Sequence, residues 1–522
     1  MSSSRLVRSS CLSAGLSLRS RYLSFLSKLP NLLKLFRLPK LSLFFVLLFL
    51  LLYTQGSMAL TAYTSKNIEG TLPYFTFDGG RTKITNTDSL LFIKLQDGRV
   101  ITPSTNISSV TNPIRLPYVG STLGDIDMLI PSSMNSVSLS DLVTRYNYWG
   151  DDDGDGQGTN GITATGSISV SFTDKDGNTV SRSDSLSICR APYKVTLSST
   201  GGYLKTQYGL PNVSYFFGHA VSYYISPNQP LGACFARPNL YDNYGISASV
   251  WNSTKGFLTQ SNDFSSYSLN FPTTGADGLY FDLEMPVEVN GSELTWSVVT
   301  NGSIRATVSW TKPRSGRVIS PSGGSDADAW IRDKSSYVTR VTLNGPRASD
   351  TQIQSANPIP LEKPSLPQIF ELVGRDNRGK EVKYGFVLQK WFVYGRSRKD
   401  SWSNQFSWCS SLGYVLPQVK DFTNAKCGVD NSNFPCRNGI DGATPLSAFN
   451  SYRRHIGAGF FTEWGSLSFY AIDIGFPVFD GYWTRDTPNN NVYFRVNSGN
   501  GFNYVRAARL SEGGKFVICS TP

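Results

Sequence analysis

Between residues 160 and 345, apolar side chains return at every second position and are cut off by turn residues, a rhythm that suits a pleated strand and not a helix. Ile162, Ala164, Ile168, Val170 and Phe172 alternate with polar residues up to Thr173, and Asp176-Gly177 then supplies a tight turn. Tyr193, Val195 and Leu197 repeat the pattern, as do Ile304, Ala306, Val308 and Trp310, and again Val338 to Leu343. No helical period is read before residue 400. The expectation is a mainly β protein built from antiparallel β-sandwiches, with a β-rich domain over 60–190 and a sandwich over 191–355. The stretch 313–335 (PRSGRVISPSGGSDADAWIRDKS) is rich in Ser, Gly and charge and reads as a mobile loop.

The pattern changes at a cluster of four prolines within 358–367, and residues 356–367 are expected to be a semi-rigid linker. Beyond it, Phe370–Val373 and Val382–Val387 flank Asp376-Asn377-Arg378-Gly379, a hairpin. Trp408 to Gly413 reads as the end of a helix stopped by glycine, and Leu416-Pro417 opens a second one. Aromatic and glycine-rich loops then lead to a closing strand, Phe516 to Cys519. Residues 368–522 are thus expected to form an α+β domain, and the chain of 522 residues is long enough for several such cores.

The N-terminal region reads as an extended export signal over 1–59. A basic stretch precedes the apolar run LFFVLLFLLLY at Leu43 to Tyr53, and Ser57-Met58-Ala59 suits a signal peptidase. That run has 11 residues, against the roughly 20 that a membrane span requires, so no span is expected in the mature chain. The formal charge of +11 falls to +3 when the eight basic residues of 1–59, which carry no Asp or Glu, are set aside. Nucleic acid is therefore not an expected partner. Six cysteines follow the leader: Cys189, Cys234, Cys409, Cys427, Cys436 and Cys519. In an exported chain they read as three disulfides, with 15 possible pairings.

Asp151-Asp152-Asp153-Gly154-Asp155-Gly156 spaces carboxylates as a short calcium loop does, with Asp151, Asp153 and Asp155 as candidate ligands. Position 12 of an EF-hand register is Ile162 where Glu is needed, so a calcium site and a solvated acidic turn both stand. Asp174 to Asn178 has a similar spelling between alternating strands and reads as a plain hairpin turn. With two histidines and no G-x-S-x-G, phosphate-loop or H-E-x-x-H motif, no enzyme is expected. A carbohydrate-active enzyme stays as an alternative because paired carboxylates can lie far apart in sequence.

SWCSSLGYVLPQVKDFTNA, GYWTRD at Gly481 to Asp486 and the terminal KFVIC together resemble C-type-lectin-like domains. KPSLPQIFELVGRDNRGKEVKYGFVLQKWFV and HIGAGFFTEWGSLSFY look like the adhesion domain of invasin-E-type proteins in the enterobacterial invasin and intimin group. SKNIEGTLPYFTFDGG and YNYWGDDDGDGQGTNGITATGS look like the same module, so the resemblance spans nearly the whole mature chain. It implies an Ig-like N-terminal region, a lectin-like domain over 368–522, and a first-helix to last-strand disulfide between Cys409 and Cys519. Chain locality then pairs Cys427 with Cys436 and Cys189 with Cys234. The sugar-binding motifs of calcium-dependent lectins are not found, since Trp483 is followed by Thr484, Arg485 and Asp486. Members of the group commonly carry an outer-membrane β-barrel and tandem Ig-like domains, and neither pattern is read here.

The resemblance implies an adhesin, secreted or displayed on a bacterial surface, that binds a host-cell receptor or glycan through its C-terminal domain. A non-catalytic spacer is the alternative. The expected binding surface is Arg453, Arg454, Trp464, Tyr482, Trp483, Arg485 and Asp486, with His455 nearby. Aromatic and Arg side chains anchor interfaces, although tryptophans such as these two are more often core residues, whereas the arginines and Asp486 are expected to be exposed.

Overall fold

The computed structural model describes Leu48 and residues 68–522, apart from 242–243, 321–322, 396–397, 431, 471–480, 490, 499–504 and 510–512. The expected leader thus lies outside the described residues except for Leu48. Among those residues no helix is long and apolar enough to cross a membrane.

The first sheet follows directly from the alternation. It runs in the order Ile114–Arg115, Val213–Ser226, Tyr193–Thr206, Ser167–Thr173 and Ser136–Ser138, with Ile162–Thr165 also paired to Tyr193–Thr206. Tyr193, Val195 and Leu197 point inward and are buried, as alternation requires. Ile162–Thr173 is broken at Gly166, where a Cβ would lie 2.0 Å from the Gly201 carbonyl oxygen, so the interruption needs glycine. An irregular layer from Phe75 to Val143 covers the inner face with Leu91, Ile93, Leu123, Leu139 and Leu142. Its helices Thr87–Leu90 and Leu139–Thr144 are too short to print a helical period.

Hydrogen bonding between Tyr193–Thr206 and Ser167–Thr173 crosses the boundary expected at 190/191. The hydrophobic core changes near residue 231 instead. From there two sheets face each other. One is ordered Trp251–Asn252, Gly256–Leu258, Phe235–Arg237, Tyr280–Glu284, Val338–Asn344 and Arg305–Thr311; the other is Leu231–Gly232, Glu381–Leu388, Gln368–Arg375 and Thr295–Thr300. Phe281 of the first meets Phe386 of the second edge-on at 6.0 Å, and Phe386 stacks on Phe370 at 4.7 Å. The hairpin 368–388 therefore completes the sandwich from beyond the segment expected to be a linker. Within 313–335, Arg317–Ser320 pairs with Gly323–Asp326, and Asp328 is wholly buried.

The C-terminal region is built onto the same core. Lys390–Tyr394 pairs in parallel with Thr274–Ala276 and antiparallel with Ile518–Ser520. Helix Trp402–Ser411, capped by Ser401, buries Trp408 and Cys409 and stops before Gly413 at φ +84°. Short helices follow at Val419–Phe422 and Phe460–Trp464, and a second sheet joins Gly481–Trp483, Val492–Asn497 and Val505–Arg509. One cluster of buried residues runs from Ala233 to Cys519 without a break at the prolines. Disulfides join Cys189 to Cys234, Cys409 to Cys519 and Cys427 to Cys436. The first of these ties the N-terminal sheet to the sandwich.

Candidate functional site

The expected binding surface separates into core and surface. Arg454, Trp464, Tyr482 and Trp483 are each 0 % exposed, which corrects their assignment as contact residues. Each has an interior task. Trp464 donates its indole N–H to the Thr274 carbonyl at 2.9 Å, and Trp483 donates to that of Asp400 at 3.2 Å. Tyr482 packs on Phe461 at 5.7 Å. Arg454 donates to the carbonyls of Glu463, Asn239 and Tyr241, so its charge is spread over backbone acceptors of two regions. Asp486 is also structural: it accepts from the Val419 N–H at 2.6 Å and from Gln418 at 3.1 Å, at the start of helix Val419–Phe422.

Arg485 is exposed, and Arg453 is half-buried with an exposed setting. The Arg453 guanidinium lies 4.7 Å from the centroid of Tyr244 and 4.8 Å from that of Phe449. Those rings are 68 % and 42 % exposed, so two aromatics and one cation share a surface cluster. The segment around Tyr244 is fixed there by a bond from the Arg454 N–H to the Tyr244 carbonyl at 2.8 Å. Neither Tyr244 nor Phe449 stands out in sequence, because the cluster joins segments some 200 residues apart.

The acidic loop brings its three expected ligands together. Carboxylate oxygens of Asp151, Asp153 and Asp155 all lie within 4.8 Å of one another. Asp151 accepts from the Gly156 N–H at 2.7 Å, and Asp153 from the Thr71 N–H. One oxygen of Asp151 and both of Asp155 are shut off from solvent without a hydrogen-bond partner. Burial raises the pKa of Asp151, and the adjoining Asp153 and Asp155 carboxylates push it further up. Asp152 is turned away, held by Lys83 at 2.5 Å and Tyr74 at 3.0 Å. The DKDGN segment is a hairpin turn, with the Asp174 N–H bonded to the Asn178 carbonyl at 2.9 Å and Gly177 at φ +84°.

Buried carboxylates elsewhere are saturated. Glu463 is fully buried and accepts from both the N–H and the hydroxyl of Thr273 and of Thr274, and from the Gly457 N–H at 2.9 Å. Asp282 is bound by Arg340 at 2.8 and 3.2 Å. Asp328 takes Arg340 at 2.9 Å, the Tyr280 hydroxyl, and the Arg314 N–H at 2.7 Å. These groups hold the fold and leave no pair of carboxylates free for acid–base work among them.

No family model and no curated protein matches this chain. Among solved structures it is similar to invasin, a bacterial integrin-binding protein, at 14% identity, covering 70% of this chain and 52% of that one with a TM-score of 0.31. It is also similar to a C-terminal 282-residue fragment of intimin in complex with the intimin-binding domain of the translocated intimin receptor, at 10% identity over 69% of this chain and 93% of that one, TM-score 0.27. A third is the Yersinia pseudotuberculosis adhesin InvE, at 8% identity over 71% of this chain and 90% of that one, TM-score 0.12. The chain spans about half the length of the invasin structure it matches.

Proposed function

We propose that this chain is an exported, non-catalytic adhesin that recognises a protein or glycan on a host-cell surface, with residues 389–522 forming its lectin-like portion. The observation that carries the reading is the exposed cluster of Arg453, Tyr244 and Phe449, since a guanidinium held over large exposed rings combines the residue types that dominate binding hot spots. The sequence resemblance to invasin-E-type adhesion domains and the three disulfides, which suit an oxidising exterior, support it. A plain spacer has no use for an exposed aromatic cluster of this kind.

In the same reading the Asp151, Asp153 and Asp155 carboxylates hold a divalent cation such as calcium. The occluded, unpartnered oxygens of Asp151 and Asp155 favour this over a solvated turn, because buried carboxylate oxygens need a proton donor or a cation. The cation would be structural, drawing the acidic loop against Thr71 near the start of the described chain.

The test is binding of the purified, disulfide-intact chain to cultured epithelial cells beside a heat-denatured control. Saturable binding by the native chain alone is expected. Equal, non-saturable retention of both samples contradicts an adhesive role.

A further inference from the structure

Three strands of the larger sandwich sheet carry charges in direct register: Arg237 stands opposite Asp282, and Asp282 opposite Arg340. Directly paired residues share one face of a sheet, so these three side chains form a row. Arg340 takes both carboxylate oxygens of Asp282 and reaches Asp328 as well. Arg237 is left over. Among the described residues its guanidinium donates no hydrogen bond, and its Nε is closed off from solvent without a partner. Across the sheet Arg237 still acts on Asp282 through charge, without a hydrogen bond to it.

This half-buried guanidinium lines an open groove of about 800 Å³ whose other walls carry Tyr241, Trp330, Tyr337, Arg332 and Asp333. The indole N–H of Trp330 is likewise occluded and unpartnered. Tyr241 and Tyr337 are 42 % and 50 % exposed. Each backs onto a second ring, Tyr241 on Phe469 at 4.0 Å and Tyr337 on Trp310 at 5.7 Å, which fixes its plane. The wall 329–338 is irregular yet anchored: Asp328 is bound by Arg340, Tyr280 and the Arg314 N–H, and Lys334 donates to the Ala327 carbonyl at 2.8 Å. Asp333 on the rim accepts from the Ser335 N–H at 2.9 Å and hydroxyl at 2.6 Å, both on one oxygen, and stays a carboxylate, so an anion must lie toward Arg237 and away from it.

The geometry points to a second recognition site, in which this groove binds a saccharide ring bearing a carboxylate, the anion pairing with Arg237 and the ring lying against Trp330 and Tyr337. Sugars present flat C–H faces to aromatic rings and hydroxyls to polar edges, while a guanidinium without hydrogen-bond acceptors selects an anion. A bare anion would leave the aromatic walls uncovered, and a neutral sugar would leave Arg237 without an anionic acceptor. The groove shares no lining side chain with the Arg453 cluster.

The test is a titration of the full chain, followed by tryptophan fluorescence and saturation-transfer NMR, with N-acetylneuraminate, glucuronate, glucose and acetate. Saturable binding of at least one acidic sugar is expected, with glucose and acetate each roughly tenfold weaker. The stronger of the two acids identifies whether a sialic-type or a uronic-type residue is the source. Arg237→Gln should weaken the acidic sugar roughly tenfold and leave the melting temperature near that of the parent chain; Tyr337→Ala, at an exposed position, should weaken it without touching the charge row. The proposal is overturned if no acidic sugar binds up to tens of millimolar, if glucose or acetate binds as well, or if both variants bind like the parent chain.

Discussion

Arg454 donates to the backbone carbonyl of Glu463 at 2.8 Å, and each of these two residues then reaches out of the C-terminal region into the sandwich. Arg454 binds the carbonyls of Asn239 and Tyr241, and Glu463 gathers the donors of Thr273 and Thr274. Two buried polar groups thus lock the C-terminal region to the β-rich region.

Removing either group strands its own buried partners. Glu463→Ala leaves five donors facing an apolar gap and should cost about 3 kcal/mol or more, read as a lowered midpoint in chemical denaturation. Arg454→Ala should cost a similar amount. If either variant denatures like the parent chain, this lock is not stabilising.

The same contacts predict the behaviour of a fragment. Residues 368–522 alone lack Thr295–Thr300, Thr274–Ala276 and the Asn239 carbonyl, each of which pairs with them in the whole chain. The fragment should show weak near-ultraviolet dichroism and no cooperative melt, whereas 231–522 should melt cooperatively. A sharp transition for 368–522 contradicts the shared core.

Disulfide removal should scale with the loop closed. The Cys409–Cys519 bond closes 110 residues and Cys427–Cys436 closes 9. In the chain-entropy model these are worth about 5 and about 2.5 kcal/mol, so replacing the first pair by alanine should lower the denaturation midpoint more. The reverse order contradicts the model for this fold.

Much of this was legible from two-residue periodicity, which marks strands wherever one face is buried, as at Tyr193, Val195 and Leu197. The domain limits were not, because strand pairing is non-local: the proline cluster at 358–367 looks like a linker, yet Gln368–Arg375 pairs back to Thr295–Thr300. The expected binding residues failed for a related reason. Arg454 is as polar in sequence as Arg453, and only the fold shows one buried among carbonyls and the other over exposed rings. Asp282 in LYFDLEM and Arg340 in YVTRVTL each fall at an inward position of an apolar strand, a sequence signal that such charges pair.

Acidification should weaken the N-terminal region through Asp174. Burial raises its pKa, but hydrogen bonds from Asn178 and the Arg190 guanidinium outweigh that, leaving it below the usual carboxylate value. Its contribution is therefore full above about pH 4 and is lost as the pH falls through the lowered value. Asp174→Asn should destabilise at pH 6 and much less at pH 3, by denaturant titration. A gap that does not narrow contradicts this.

Millimolar calcium should raise the melting temperature, since a ligand of the folded state alone stabilises by mass action. Asp153→Ala should abolish the rise. An unchanged melting temperature for the parent chain excludes the cation reading of Asp151, Asp153 and Asp155.

The most direct measurement is cell binding by the full chain carrying Tyr244→Ala with Arg453→Ala, beside Trp483→Ala, with melting temperatures recorded for all. The account predicts that the surface pair loses about tenfold or more in affinity while melting like the parent chain. Trp483→Ala should lose binding together with about 3–5 kcal/mol of stability. Undiminished binding by the Tyr244 and Arg453 double variant would contradict the account.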